Sequence, residues 1–225
     1  MSLGYSSGKL IKRILAMSCT VLLLTAGCSR QSDSTAPTPR PSVEAPEPKL
    51  TPWPAPPDPL ERASAAGLTP EQLEFLLNHV HAHLDIFVDG KPVAIPAGIG
   101  IDITNPAVRR FEDDGQVGYG GIDPACDRPC ISPLHTHDET GVLHTESKTA
   151  ETHTLGQFFT EWGLRLDASC VDDHCKPEEE IAVYVNGDPY NGDPASIPLN
   201  DRTEIAIVIG DPPARIPSTY DFSNA

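Results

Sequence analysis

The residues best suited to chemistry in this chain of 225 residues are histidines, and seven of the eight lie between residues 79 and 153. His79, His81 and His83 alternate with apolar residues, and this period of two places all three imidazoles on one face of a β-strand. Imidazoles two residues apart along a strand are separated by roughly 6–7 Å, which is close enough for two of them to bind one metal ion. Three in a row are too extended to reach the same ion.

A second group combines three histidines with a carboxylate in the sequence LHTHDETGVLHTE. If the chain reverses in a two-residue loop at Thr140–Gly141, His137 pairs with His144 and His135 pairs with Glu146. Cross-strand partners share a face of the sheet with Cβ atoms about 4.5–5.5 Å apart, so the four side chains would form one polar square. A four-residue loop gives the same pairing, whereas a three-residue loop removes it.

Three imidazoles and a carboxylate suit a divalent transition metal such as Zn(II), Cu(II) or Fe(II). Because the neutral imidazole is the ligand, binding should weaken as the pH falls through the histidine range. The alternative interpretation is a set of solvated strand histidines, but two His-x-His groups in one domain favour a metal site. The predicted metal ligands are His81, His83, His135, His137, His144 and Glu146.

Hydrophobic periodicity and turn residues indicate the elements that must position these ligands. Asp89–Gly90 predicts a hairpin turn after the first histidine strand, and residues 134–147 predict a second hairpin. Thr154–Gln157 is a capping box that predicts a helix ending at Gly163. A similar pattern predicts a short helix over residues 69–77.

Two further strands, at Ile181–Val185 and Glu204–Ile209, complete the pattern. This order predicts an α+β fold with a single mixed or antiparallel sheet and packed helices. Residues 183–210 resemble the closing strands of small β-grasp domains, and the resemblance implies a β-grasp-like sheet. The HTHD and TLGQFF-WG pieces resemble a group of uncharacterised bacterial and archaeal secreted proteins over residues 79–210. That resemblance implies a shared domain but supplies no activity.

The first 28 residues combine three basic residues, a mostly apolar run and small residues, which is typical of an export signal. The segment resembles a bacterial lipoprotein signal peptide with the lipobox LTAGC. This resemblance implies cleavage before Cys28 and its modification with lipid, palmitate included; an ordinary secretory signal or a retained anchor is the alternative. Removing residues 1–27 changes the formal net charge from −16 to −19 and removes both methionines, so thioether metal ligands are excluded.

Composition divides the rest of the chain. Residues 28–67 hold ten of the 24 prolines and predict an extended, lipid-anchored spacer. Residues 68–215 predict one histidine-rich α+β domain, and residues 216–225 a C-terminal tail. The predicted location is therefore the extracytoplasmic face of the cell membrane.

Four cysteines besides Cys28 follow the predicted cleavage site, as Cys126-x3-Cys130 and Cys170-x4-Cys175. An even count outside the cytoplasm predicts two disulfide bonds, although the sequence leaves three connectivities open. The alternative is a thiolate metal site or a redox pair, because two of these cysteines lie close to histidines in the chain.

The acidic composition excludes a nucleic-acid binder, because neutralising phosphates requires a basic surface. The predicted function is capture, buffering or delivery of a divalent transition metal by a lipid-anchored protein. The first alternative is a metal-dependent hydrolase or oxygen-using enzyme with a site of three histidines and one carboxylate. Asp85, Asp138 and Glu139 are its candidate acids and bases, although no recognised catalytic motif is present. The second alternative is an interaction module whose metal is structural.

Overall fold

The computed structural model of the protein describes residues 49–113 and 115–224, so the predicted signal peptide, Cys28 and the first part of the spacer lie outside the described residues. In this part of the chain the α-helices are α1 (Pro59–Ala65) and α2 (Leu155–Trp162). The strands are β1 (Asn78–Val88), β2 (Lys91–Val93), β3 (Arg109–Asp113), β4 (Gln116–Gly120), β5 (Leu134–His135), β6 (Val142–Ser147), β7 (Cys170–Val171), β8 (His174–Cys175), β9 (Ile181–Val185), β10 (Asp188–Tyr190) and β11 (Glu204–Ile209).

Seven of these strands form one mixed sheet in the order β10-β9-β11-β1-β6-β5, with β2 also paired to β1. Strand β1 runs parallel to β11 and antiparallel to β2 and β6. Strands β3 and β4 form a separate hairpin, as do β7 and β8. The α+β prediction is confirmed at this level. Because three sheets are present, the single-sheet prediction is not confirmed, and the β-grasp likeness stays a prediction.

The centre of the sheet separates an apolar face from a polar one. Ala82, Leu84 and Ile86 of β1 are buried in the same hydrophobic cluster as Phe158 and Trp162 of α2. The alternate residues of β1 carry the imidazoles, as the period of two predicts. The helix therefore fixes the sheet from one side and leaves the opposite face of β1 for polar contacts.

Two local signals determine how these elements begin and end. Asp89 and Gly90 have φ angles of 49° and 75°, which is the left-handed pair that a tight two-residue hairpin requires. At the start of α2, the Thr154 hydroxyl accepts from the Gln157 amide at 3.3 Å, and the Gln157 side chain accepts from the Thr154 amide at 3.0 Å. Both predictions are confirmed.

The helix predicted over residues 69–77 is wrong. The Glu71 amide donates to the Ile131 carbonyl at 2.6 Å, and the Glu71 carbonyl accepts from the Cys130 amide at 2.7 Å. Leu76 and Leu77, the expected apolar face, are 64% and 76% exposed. Pairing with a distant segment therefore satisfies the backbone groups that a helix would have used.

Both ends of the predicted domain are longer than the composition indicates. Residues 49–67, assigned to the spacer, include α1, and Trp53 is buried with its Nε1 donating to Asp172 at 2.9 Å. Tyr220, assigned to the tail, stacks on His83 with ring centroids 3.8 Å apart. Aromatic packing thus holds segments that proline content and position alone assign to linkers.

Two disulfide bonds join Cys126 to Cys130 and Cys170 to Cys175. Each bond closes a short local loop, so both pairings are local. The disulfide prediction is confirmed, and it indicates an extracytoplasmic environment. Across residues 49–113 and 115–224, no helix is both long and apolar enough to cross a bilayer.

Candidate metal centre

Three neighbouring strands bring the two histidine groups of the sequence together. In the β1–β6 pair, His81 lies opposite His144 and His79 lies opposite Glu146. On the other side of β6, His135 of β5 also lies opposite His144. In β6, His144 is therefore flanked by imidazoles from both neighbouring strands, and Glu146 by an imidazole from β1.

The predicted register of the second hairpin is wrong by two residues. His135, rather than His137, is the partner of His144, and Glu146 lies opposite the residue before β5. Six residues, 136–141, connect the strands where two were predicted. Because a shift of two residues keeps every side chain on its face, the four polar side chains still meet.

We call the more buried group the inner quartet; it consists of His135, His137, His144 and Glu146. One candidate ligand atom from each residue lies within 4.8 Å of all the others. The Nδ1–H of His135 donates to the Ser132 carbonyl at 2.9 Å, and the Nδ1–H of His137 donates to the Tyr119 carbonyl at 2.6 Å. These bonds fix the tautomer of each ring and leave Nε2 as the ligand atom.

The candidate ligand atoms of the inner quartet face one another across a short distance. The two Nε2 atoms of His135 and His137 are 3.4 Å apart, and neither can donate while its ring is neutral. Nδ1 of His144 is buried without a hydrogen-bond partner among the described residues, and it lies 3.6 Å from Glu146 Oε1. Three imidazole nitrogens and a carboxylate oxygen that converge in this way match the donor set of a divalent transition metal.

The protonation states of the inner quartet follow from burial and from Glu146. Burial, together with the neighbouring imidazoles, lowers the pKa of His135 well below its usual range, and burial lowers that of His144 to about 4. Burial opposes charge on His137 too, but Glu146 and the Tyr119 carbonyl raise its pKa above the ordinary value. Burial would raise the pKa of Glu146, yet the surrounding histidines hold it well below the usual range. Glu146 is therefore ionised, and His137 carries the first proton that a metal must displace.

We call the second group the outer pair; it consists of His79 and His81. Their Nε2 atoms are 3.0 Å apart, and Nε2 of His79 is 3.2 Å from Glu146 Oε1. His79 is exposed, and burial and the nearby His79 lower the pKa of His81. Together with His144 and Glu146, this pair forms another group whose ligand atoms lie within 4.8 Å of one another.

His83, predicted as a ligand, is not brought into either group. Its Nε2–H donates to the Thr140 carbonyl at 2.9 Å, and its Nδ1 lies 3.0 Å from the buried Glu204 carboxylate. Asp85 lies 3.7 Å from the same Nδ1. Burial opposes a charged ring, but the bond to Glu204 raises the pKa of His83, so a proton occupies this contact. Both ring nitrogens are then used.

The remaining candidates lie apart from the converging ligand atoms. His174 pairs with Glu179, and all four candidate cysteines are in disulfides, which leaves no thiolate among them. Asp138 accepts from the amide and hydroxyl of Thr140 and so stabilises its own loop. Glu139 is exposed.

Sequence reasoning missed the groups that orient the ligands. Tyr119 and Ser132 act through backbone carbonyls, which no side-chain pattern reveals. One signal was present in the glycines around Tyr119: a Cβ added at Gly120 would lie 2.5 Å from Nδ1 of His137. His79 was also absent from the predicted ligand set.

A cavity of about 400 Å³ opens beside the inner quartet. Its wall includes two of the quartet's rings, several carboxylates and two aromatic side chains. The lining residues are Phe111, Asp113, Gln116, His137, Asp138, Thr140, Val142, His144, Tyr220 and Asp221.

Comparisons with known protein families, with curated protein sequences and with solved structures found no match.

Proposed function

We propose that this protein binds a divalent transition metal ion through the inner quartet and captures, buffers or delivers it outside the cytoplasm. Zn(II), Cu(II) and Fe(II) all accept three imidazoles and one carboxylate, and the donor set does not choose among them. The observation that carries the proposal is the convergence of three imidazole nitrogens and one carboxylate oxygen within 4.8 Å of one another, with two of the rings anchored by backbone carbonyls.

The oriented rings support the same conclusion. His135 and His137 each use Nδ1–H on a backbone carbonyl, which is the outer-sphere arrangement that orients and polarises metal-binding histidines. Glu146 contributes the negative charge that offsets part of a dication. Such anchored rings lose little freedom when the ion binds, so the site is prepared for it.

The proposed setting is the membrane surface, with Cys28 carrying the lipid and the proline-rich segment acting as a tether. The two disulfides support an extracytoplasmic position. Cys28→Ser should release the protein from the membrane fraction if the tether is lipid. Retention of this variant in the membrane fraction would argue for an uncleaved anchor.

Metal analysis of the full-length chain in detergent tests the binding function. Stripped protein is loaded separately with Zn(II), Cu(II), Fe(II) and Ni(II), freed of excess metal and assayed for bound metal. We expect wild type to retain at least about one equivalent of one of these ions and His137→Ala to bind far more weakly. His174→Ala is the matched control, since His174 lies outside the quartet. No retained metal from any of the four loadings would refute the proposal.

A metal-dependent enzyme is the second candidate, favoured by the cavity that reaches His137 and His144. A bound metal would supply Lewis acidity at that wall, and a cavity of about 400 Å³ is large enough for a small ligand. Its test is turnover of a panel of small esters, amides and oxidisable phenols by the metal-loaded chain. Activity that disappears in Val142→Trp, which fills the cavity, with metal content retained would favour the enzyme.

A further inference from the structure

We propose that the centre holds two metal ions, the second bound on the solvent side by His79 and His81 and sharing Glu146 with the first. This inference rests on the proposed function and extends it from one ion to two. The two histidine groups are separate along the sequence, but β6 places His144 and Glu146 between them.

The candidate ligand atoms outnumber those that one tetrahedral ion can bind. Five imidazoles and one carboxylate meet around β6, in two overlapping groups that share only His144 and Glu146. A tetrahedral site is complete with the inner quartet, so His79 and His81 are left over. Their Nε2 atoms approach each other to 3.0 Å, which one shared proton or a second cation can stabilise.

Glu146 is placed to join the two sites. Its Oε1 lies 3.2 Å from Nε2 of His79, 3.6 Å from Nδ1 of His144 and 3.9 Å from Nε2 of His137. It therefore contacts imidazoles of both groups. A carboxylate has two oxygen atoms, and carboxylates and waters commonly bridge the metals of paired sites.

The surroundings offset the charge of a second dication. Asp201 lies beside His81, whose amide contacts Asp201 Oδ1 at 3.4 Å, and its charge acts on the His81 ring. On the inner side, Glu74 acts in the same sense on His137. An acidic side chain thus acts on a ring of each group, which favours cations at both.

The first experiment counts Zn(II) in the full-length chain in detergent, after loading and removal of excess metal. Wild type should retain about two equivalents, and His79→Ala/His81→Ala about one, because the inner quartet is intact in that variant. His174→Ala should retain about two. One equivalent in wild type overturns the second site while leaving the proposed function standing. No bound Zn(II) also overturns the second zinc site, and the loading with four metals then decides the proposed function separately.

The second experiment uses Cu(II) and electron paramagnetic resonance, so that the result does not depend on stoichiometry alone. Two Cu(II) ions that share a carboxylate couple magnetically, so fully loaded wild type should show clearly less signal per copper than His79→Ala/His81→Ala. That variant should give a full mononuclear signal. Circular dichroism confirms that it is folded, as expected for a change at the exposed His79. Equal signal per copper in fully loaded wild type and in the variant contradicts a bridged pair.

Discussion

Two polar clusters beside strand β1 differ in how their hydrogen bonds are completed. Around His83, each ring nitrogen has a partner: the Thr140 carbonyl on one side and the Glu204 carboxylate on the other. In the inner quartet, the rings of His135 and His137 are anchored on one side only. Their other nitrogens point at each other and towards Glu146.

The difference separates a structural histidine from a candidate ligand. A histidine that has used both nitrogens stabilises the fold and has no lone pair for a metal. A histidine held by one nitrogen, with the other facing further candidate ligand atoms, is oriented for metal binding. Spacing in the sequence could not distinguish the two, since His81 and His83 differ only by one strand period.

The largest expected effect on metal affinity comes from substituting one histidine in each of the two clusters. His135→Ala should lower the affinity for Zn(II) by more than about 100-fold, beyond what loss of an outer-sphere partner usually costs. His83→Ala should leave the affinity unchanged, as measured by competition with a chelator of known affinity. Equal losses of Zn(II) affinity in the two variants would contradict the distinction between a structural histidine and a metal ligand.

The His83 cluster should matter for the free energy of unfolding rather than for metal affinity. His83→Ala leaves Glu204 buried without its partner and should lower the free energy of unfolding of the metal-free protein by about 3 kcal/mol. Glu204→Gln keeps a hydrogen-bonding group beside the ring and should cost less. Urea denaturation measures both variants, and a larger loss in Glu204→Gln would mean that charge rather than hydrogen bonding stabilises this contact.

The carbonyl anchor of His137 can be tested without touching any ligand. Gly120→Ala places a Cβ against Nδ1 of His137, so the ring must move and the Zn(II) affinity should fall by about 10-fold or more. Gly115→Ala is the matched control, because the same hairpin has open space there. Unchanged affinity in Gly120→Ala would show that the anchor is dispensable.

The smallest effect is the pH dependence of binding. Because the pKa values of His135 and His144 are lowered, these rings are already neutral near pH 7, and only His137, whose pKa is raised, must lose a proton. Affinity should therefore rise with pH up to the pKa of His137 and level off above it. Below that pKa the fall should be about tenfold per pH unit. A slope of two protons, measured by titration between pH 6 and 8, would contradict this assignment.

Local sequence signals predicted the elements whose structure is determined by residues close together in the chain. The Asp89–Gly90 turn, the Thr154–Gln157 box and the strand at Glu204–Ile209 all follow from contacts within a few residues. Strand β3 gave no such signal, because all five of its residues are exposed and no alternation is required. The hairpin that supplies the Tyr119 carbonyl was therefore missed.

The site itself was predicted in composition but not in arrangement. Alternation identified the imidazoles of β1, and the assumed pairing of a hairpin identified the four members of the inner quartet. The register of β5 on β6 could not be predicted, because contacts from distant segments hold the connecting loop: Thr136 donates to the Pro96 carbonyl and accepts from the Ile99 amide. The contact that occupies Nδ1 of His83 could not be predicted for the same reason, as Glu204 lies 121 residues away.

The docking of Trp53 makes the protein's fluorescence a local reporter. The chain has two tryptophans, and the ring centroids of Trp53 and Trp162 are 6.0 Å apart at one corner of the fold. Trp53 also lies edge-on to His174 and donates to Asp172. Emission from this pair reports whether the segment that leads into the domain is seated against α2. An optical signal can therefore follow detachment of that segment separately from events among the histidines around β6.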